Sequence, residues 1–336
     1  MTLDPTTTTA ADIDSGTLAQ TASVVAPVSV WATAQTAPTA QRRGRYHPDS
    51  VQHPAKMFPA IVAHAVNTYT RPGDLVLDPM CGIGTTLVES LHLGRRAVGV
   101  EYEGRWAELA RTNLELAHEA GIDLAADVFH GDARKLGDLI PADLRGQARL
   151  VITSPPYGDS VHGHVKTSTT EKLRKKNQRY GAVLDRGNLA NVGIGRLLSG
   201  FTKILAGAAE YLAPGGYVVI TARPWRQHAE LVPLPAHLYT CGELAGLVPV
   251  ERCVALLGRL TEGELVARSS FFQRDFIVKQ RAAGLPMHLI AHEDVIILRK
   301  PDADEATERR RAAGRFPFGS AATLPNTETG PGSVAA

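Results

Sequence analysis

Short apolar runs alternate with stretches of helical period from residue 58 to residue 299 of this 336-residue chain. The runs centred on Leu75-Val76-Leu77, Ala97-Val98, Val128-Phe129, Leu150-Val151-Ile152 and Tyr217-Val218-Val219-Ile220 read as buried strands. The stretches 250–258 and 292–299 complete the set. Helical spacing marks 58–69 before the first strand, then 87–93, 104–120, 133–139, 196–212 and 235–245 between later ones. Pro214-Gly215-Gly216 is a stop for the helix that precedes it. Strand and helix in strict alternation predict an α/β fold with a doubly wound, mostly parallel sheet.

The first predicted strand runs into Asp78-Pro79-Met80-Cys81-Gly82-Ile83-Gly84-Thr85-Thr86. Gly82 and Gly84 let a backbone approach a ligand closely. Thr85 and Thr86 fall where a helix start leaves free N–H groups. The third glycine of the dinucleotide fingerprint is absent, with Leu87 in its place. The second strand ends in Glu101, 23 positions after Asp78, the spacing at which a carboxylate meets ribose hydroxyls. The third ends in Asp132. Any one of these acids could merely cap the next helix. Three in succession beside a glycine loop describe an adenosyl pocket at the switch point of the sheet.

The fourth strand ends in Thr153-Ser154-Pro155-Pro156-Tyr157. The two prolines end both ladder and helix, and Pro155 holds Ser154 extended. Such a corner presents the Ser154 hydroxyl, the carbonyls of Pro155 and Pro156, and the Tyr157 ring. Oxygens accept hydrogen bonds from an NH2 group, and a tyrosine stacks on a flat ring. The corner therefore suits chemistry on the exocyclic amine of a nucleobase. An ordinary Pro-Pro loop ending in a packed tyrosine is the other reading of the segment alone.

Taken together, the glycine loop and Ser154-Pro155-Pro156-Tyr157 resemble the amino-methyltransferases, S-adenosylmethionine enzymes that methylate the exocyclic nitrogen of adenine or cytosine in DNA. His53-Pro54-Ala55-Lys56-Met57-Phe58-Pro59 resembles the family segment that closes over the cofactor's methionine part, and the order of the three matches the arrangement called gamma. The resemblance runs from about His53 to Lys300. It implies a Rossmann-like class I methyltransferase sheet of seven strands, with the last strand antiparallel between the preceding two. It implies S-adenosyl-L-methionine as cofactor, held by Phe58, Asp78, Met80, Gly82, Gly84, Thr85, Thr86, Glu101 and Asp132. Ser154, Pro155, Pro156 and Tyr157 would be the catalytic set, acting by direct methyl transfer to a flipped base. Among relatives, serine at the place of Ser154 is commoner in enzymes acting on cytosine N4, so cytosine is favoured over adenine N6.

Charge changes the picture at one place. From Asp159 to Arg186, Lys166, Lys172, Arg174, Lys175, Lys176, Arg179 and Arg186 face only Asp159, Glu171 and Asp185, in a chain whose net charge is +2. A basic segment directly after the corner predicts phosphate contacts, with DNA as partner and RNA as the alternative. The glycines and serine around Gly158 suggest a loop. A solvated charged loop is the plain alternative.

Residues 1–45, rich in Thr, Ala, Gln and Ser, and residues 301–336 are expected to be disordered tails around a domain at 46–300, with 158–195 as a basic insertion. The start has no signal-peptide pattern and no run spans a membrane, so a cytoplasmic protein is expected. Cys81, Cys241 and Cys253 are too widely spaced for a zinc site, and no metal is expected. His292-Glu293-Asp294 is expected to cap a strand, and Trp225 to lie near the base pocket or pack beside it. Two other classes remain: a methyltransferase of guanine N2 in tRNA, and a non-catalytic nucleic-acid-binding protein with this fold. Oligomeric state, recognition sequence and any restriction-enzyme partner of a restriction-modification pair are not legible.

Overall fold

A computed structural model describes residues 26–157, 164–168, 171–176, 185, 187–227, 230–269 and 271–308. The strands are β1 (Val30–Trp31), β2 (Leu75–Asp78), β3 (Arg96–Glu101), β4 (Ala126–His130), β5 (Ala148–Thr153), β6 (His164–Ser168), β7 (Glu171–Lys176), β8 (Leu212–Ala222), β9 (Trp225–Gln227), β10 (Glu230–Val232), β11 (Val248–Leu256), β12 (Gly258–Thr261), β13 (Glu264–Ala267) and β14 (His292–Arg299). The helices are α1 (Pro38–Arg42), α2 (Pro59–Tyr69), α3 (Thr85–His92), α4 (Gly104–Glu119), α5 (Leu136–Leu139), α6 (Ile194–Tyr211), α7 (Leu234–Leu244) and α8 (Phe271–Ala282).

The main sheet runs β1-β11-β14-β8-β5-β2-β3-β4. Its β8-β5-β2-β3-β4 portion is parallel, and β14 is antiparallel to both β8 and β11. The expected seven strands are therefore present, with the last between the preceding two. Alternate residues of one strand enter opposite cores. Leu75 and Leu77 join Val98, Val100, Phe201, Leu205 and Ile296 on the α6 face. Val76 joins Ile61, Val62, Leu150, Ile152 and Ile297 on the α2 face. A further cluster ties α3 to α4 through Leu87, Trp106 and Ala110. Burial on both faces is why these strands read as continuous apolar runs rather than alternating ones.

The eighth strand corrects the N-terminal expectation. Residues 26–45, read as tail from their composition, carry β1 and α1. Val30 pairs with Val254, Trp31 is 3% exposed, and the Thr33 hydroxyl donates to the Leu256 carbonyl at 2.9 Å. One buried tryptophan and two ladder positions suffice to dock a segment that has no periodicity of its own. At the other end, residues 303–308 are helical, and Arg299 pairs with Glu305 at 2.5 Å. Residues 1–25 and 309–336 lie outside the described set. Among the described residues no helix is long and apolar enough to cross a membrane, and no three His, Cys, Asp or Glu side chains are grouped to hold a metal.

Candidate active site

Every loop that matters leaves the carboxyl edge of the parallel strands, where the order reverses between β2 and β5. Gly82 and Gly84 both take positive φ, 55° and 78°, and a Cβ on Gly82 would meet the His53 ring at 3.2 Å. Only glycine fits there without moving the 53–58 segment. The loop is pinned to β3 twice: the Cys81 N–H donates to the Val100 carbonyl at 2.9 Å, and the Gly82 N–H donates to Glu101 Oε2 at 2.8 Å. Gly99 allows this approach, because a Cβ there would lie 2.8 Å from Cys81 Sγ.

The acids then differ in their roles. Asp78 accepts from the Thr86 hydroxyl at 2.6 Å and from the Met80 N–H at 3.0 Å, and burial pushes its carboxyl up to about 6. Glu101 accepts from Gly82 and, through Oε1, from the Glu103 N–H at 2.8 Å; burial pushes it up to about 7. Each carboxylate oxygen has a second lone pair, so both groups can still accept from a ligand. Asp132 is different. Burial opposes its ionisation, but the Arg134 guanidinium and N–H outweigh that and hold its carboxyl below the usual range, with contacts of 2.7–3.0 Å.

These groups open on one cleft of about 330 Å³, inside the size range of small-molecule sites. Phe58, Asp78, Met80, Gly82, Thr85, Thr86, Glu101 and Asp132 line it together with Ser154, Pro155, Pro156 and Tyr157. Gly84 sits behind the wall as the N-cap of α3 and would touch Ala110 if it carried a Cβ. The two motifs, 76 positions apart from Asp78 to Ser154, thus share one cavity. Tyr157 is 6% exposed and stands edge-on to Trp225, ring centres 6.0 Å apart, with the Arg223 guanidinium 5.5 Å over its face. Trp225 therefore backs Tyr157 and is not on the cleft wall.

Within the basic segment, residues 164–168 and 171–176 pair as antiparallel strands where a loop was expected. The ladder of β6 and β7 sets Lys166 opposite Arg174, Val165 opposite Lys175 and His164 opposite Lys176, with Lys172 also on β7. Arg179 lies outside the described residues.

Several cleft residues were not among the expected site residues, and four of them carry polar or charged groups that bear on the site. Asn188 lines the cleft and donates to Glu103 Oε1 at 2.6 Å. Lys56 donates to the His53 carbonyl at 2.6 Å, and burial lowers its ammonium to about 8. Arg223 and Glu293 come from β8's end and β14. Residues 292–294 are the first three of β14 and not a cap before it: Asp294 pairs with Arg252 of β11 at 2.6 Å, and Glu293 lines the cleft. A lysine in a cofactor-segment motif was the one available signal. The others are brought in by strand pairing that no local pattern encodes.

Comparison with known proteins agrees with this geometry. A family model described as DNA methylase matches residues 11–112. The tRNA (guanine(10)-N2)-dimethyltransferase of Methanothermobacter thermautotrophicus is 32% identical over 153 residues, 45% of this chain and 41% of that protein. The protein of the same description from Methanocaldococcus jannaschii is 30% identical over 133 residues, 39% of this chain and 36% of that one. Type II methyltransferase M2.DpnII of Streptococcus pneumoniae is 35% identical over 68 residues, 20% and 25% of the two chains. The matched part of the chain spans less than half the length of these relatives. The matched region covers the glycine loop, Glu101 and α4 up to residue 112, under a third of the chain, and with the Ser-Pro-Pro-Tyr corner opening on the same cleft it supports an S-adenosylmethionine-dependent methyltransferase similar to the amino-methyltransferases.

Proposed function

We propose that this chain methylates an exocyclic amino group of a base in DNA, cytosine N4 in preference to adenine N6. The observation that carries the reading is the shared cleft: a glycine-and-acid group that follows β2, β3 and β4, and an acceptor corner that follows β5, line one cavity. The first group fits S-adenosylmethionine. Gly82 leaves the space a Cβ would fill, Glu101 and Asp78 offer acceptors to hydroxyls or an amine, and Met80 and Phe58 supply apolar surface. Bound there, the cofactor supplies a methyl group on a positively charged sulfur.

The corner does the rest. An exocyclic amine is a poor nucleophile because its lone pair is delocalised into the ring. Hydrogen bonds from its two N–H groups to Ser154 Oγ and the Pro155 carbonyl pull the nitrogen towards tetrahedral geometry and localise that pair. Proximity and alignment in the closed cleft supply much of the rate. Tyr157, held by Trp225, offers its ring to the extruded base. The β6–β7 strands follow the corner in sequence and supply cations for phosphates.

A second reading, guanine N2 in RNA, is favoured by the two archaeal relatives. Labelled-cofactor assays on genomic DNA and on bulk tRNA, followed by mass spectrometry of the nucleosides, separate them. N4-methylcytosine supports the proposal. N6-methyladenine keeps the mechanism and removes the cytosine preference. N2-methylguanine from tRNA alone refutes the DNA reading. Cofactor binding without turnover on either polymer refutes catalysis.

A further inference from the structure

Glu293 carries a buried carboxyl oxygen, Oε2, without a hydrogen-bond partner, in the wall of the cleft. The neighbouring Thr221 hydroxyl lies close enough to favour the ionised form of Glu293, but the contact does not meet hydrogen-bond geometry and leaves Oε2 open as an acceptor. A buried acceptor left unpaired is costly, and native proteins rarely keep one without a use.

Its place in the sheet says what that use is. Thr153 of β5 is level with Ile220 of β8, and Ala222 of β8 is level with Asp294 of β14. Glu293 therefore stands at the same carboxyl edge as Ser154, two strands away, about 10 Å across at ordinary strand spacing. The glycine loop and Glu101 are on the other side of β5, on β2 and β3. Glu293 thus belongs to the half of the cleft that faces a substrate, beside Arg223 and Tyr157.

We propose that Glu293 reads the Watson–Crick edge of the extruded target base, pairing its carboxyl with the ring nitrogen next to the reacting amine. This rests on the reading of the Ser154 corner as the target site. Burial holds the Glu293 carboxyl above its usual range, although the charges of Arg223 and His292 oppose this. A neutral carboxyl is one donor and one acceptor. Cytosine N3, or adenine N1, is an acceptor for that donor, and both N–H groups of the amine stay with the Ser154 corner. Guanine presents two donors, N1–H and N2–H, and calls for an ionised carboxylate instead. The side chain therefore discriminates between the two substrate classes that the relatives leave open.

The experiment compares the full-length parent with E293A and E293Q on duplex DNA and on tRNA, with product nucleosides read by mass spectrometry and cofactor affinity by calorimetry. E293A should lose about 10-fold or more in kcat/KM, the worth of one well-made hydrogen bond in a dry site, with cofactor affinity unchanged. E293Q should recover most of that loss, because an amide offers the same donor–acceptor pair permanently. A merely structural glutamate gives no such rescue. An E293A rate equal to the parent's overturns the proposal, as does loss of cofactor binding in both variants. So does an E293Q no better than E293A, or a guanine product that E293Q abolishes. A parent that methylates neither polymer refutes the proposed function itself, and this inference falls with it.

Discussion

Replacing Glu101 with glutamine separates its two duties, cofactor binding and loop support. The carboxylate accepts the Gly82 and Glu103 N–H groups at 2.8 Å each and sits 9% exposed. Glutamine keeps the volume and can accept one of the two, but turns a donor towards the other. Against that loss stands the cost of a buried charge. Burial raises the carboxyl from 4.5 to about 7. The native state therefore binds the proton more tightly than the unfolded chain, and the stabilisation this brings is full below pH 4.5 and is lost as pH rises through about 7. At roughly 1.4 kcal/mol for each tenfold change in proton affinity, that loss is about 3 kcal/mol. At pH 5 the parent's own neutral carboxyl turns an O–H towards one of the two N–H groups, as the amide does, so the variant should be about as stable as the parent there; at pH 8, where the parent has lost about 3 kcal/mol, the variant should be the more stable. Its stability should also vary less between pH 5 and pH 7. Above pH 7, where the carboxylate is ionised, cofactor affinity should fall by about 1.5–3 kcal/mol for a hydrogen bond to charge, or roughly 10- to 150-fold. Urea titrations across pH and calorimetry with the cofactor measure the two effects on one preparation. Unchanged cofactor affinity in a folded E101Q refutes the ribose assignment. Unchanged pH dependence refutes the account of its burial.

Ser154→Ala should lower the single-turnover methyl-transfer rate more than it changes DNA affinity, since its hydrogen bond matters most as the nitrogen becomes tetrahedral; equal rates in parent and variant would mean the corner is not the active site. Gly82→Ala combines a φ of 55° with an approach of 3.2 Å to His53, and calorimetry should show it weakening cofactor binding well before thermal melting shows unfolding. Neutralising Lys172, Lys175 and Lys176 together should flatten the salt dependence of DNA binding by up to about 0.9 log unit for each phosphate no longer neutralised, with cofactor affinity unchanged; a parental salt slope would make these strands merely solvated ones.

What could be read from the chain alone was whatever depends on neighbours in sequence. The period of Leu75-Val76-Leu77 and Leu150-Val151-Ile152 marks strands buried on both faces. Gly82 and Gly84 mark a loop with positive φ, and Pro155-Pro156 marks the end of β5. Each is a local constraint on φ, ψ or burial, so a short window carries it. The parallel order β8-β5-β2-β3-β4 follows almost as directly, because helices between strands leave few other connections.

Only the tertiary structure decided the rest. Residues 26–45 lack any pattern, yet Trp31 finds a pocket and β1 a free sheet edge, and the contacts that order them reach both to α2 at His64 and to β11, more than 200 positions away. Asp132 was expected to end its strand as Glu101 does, but it lies two residues past the end of β4, and Arg134 claims its carboxylate, a pairing of side chains two residues apart that composition cannot rank. The polar strands of the basic segment pair with each other, without an apolar face to announce them. Glu293 reads as a strand cap because it stands between His292 and Asp294; the antiparallel entry of β14 between β8 and β11 turns it into the cleft. Strand order is set by long-range hydrogen bonding and core packing, and those terms have no counterpart in the local pattern that identifies the strand itself.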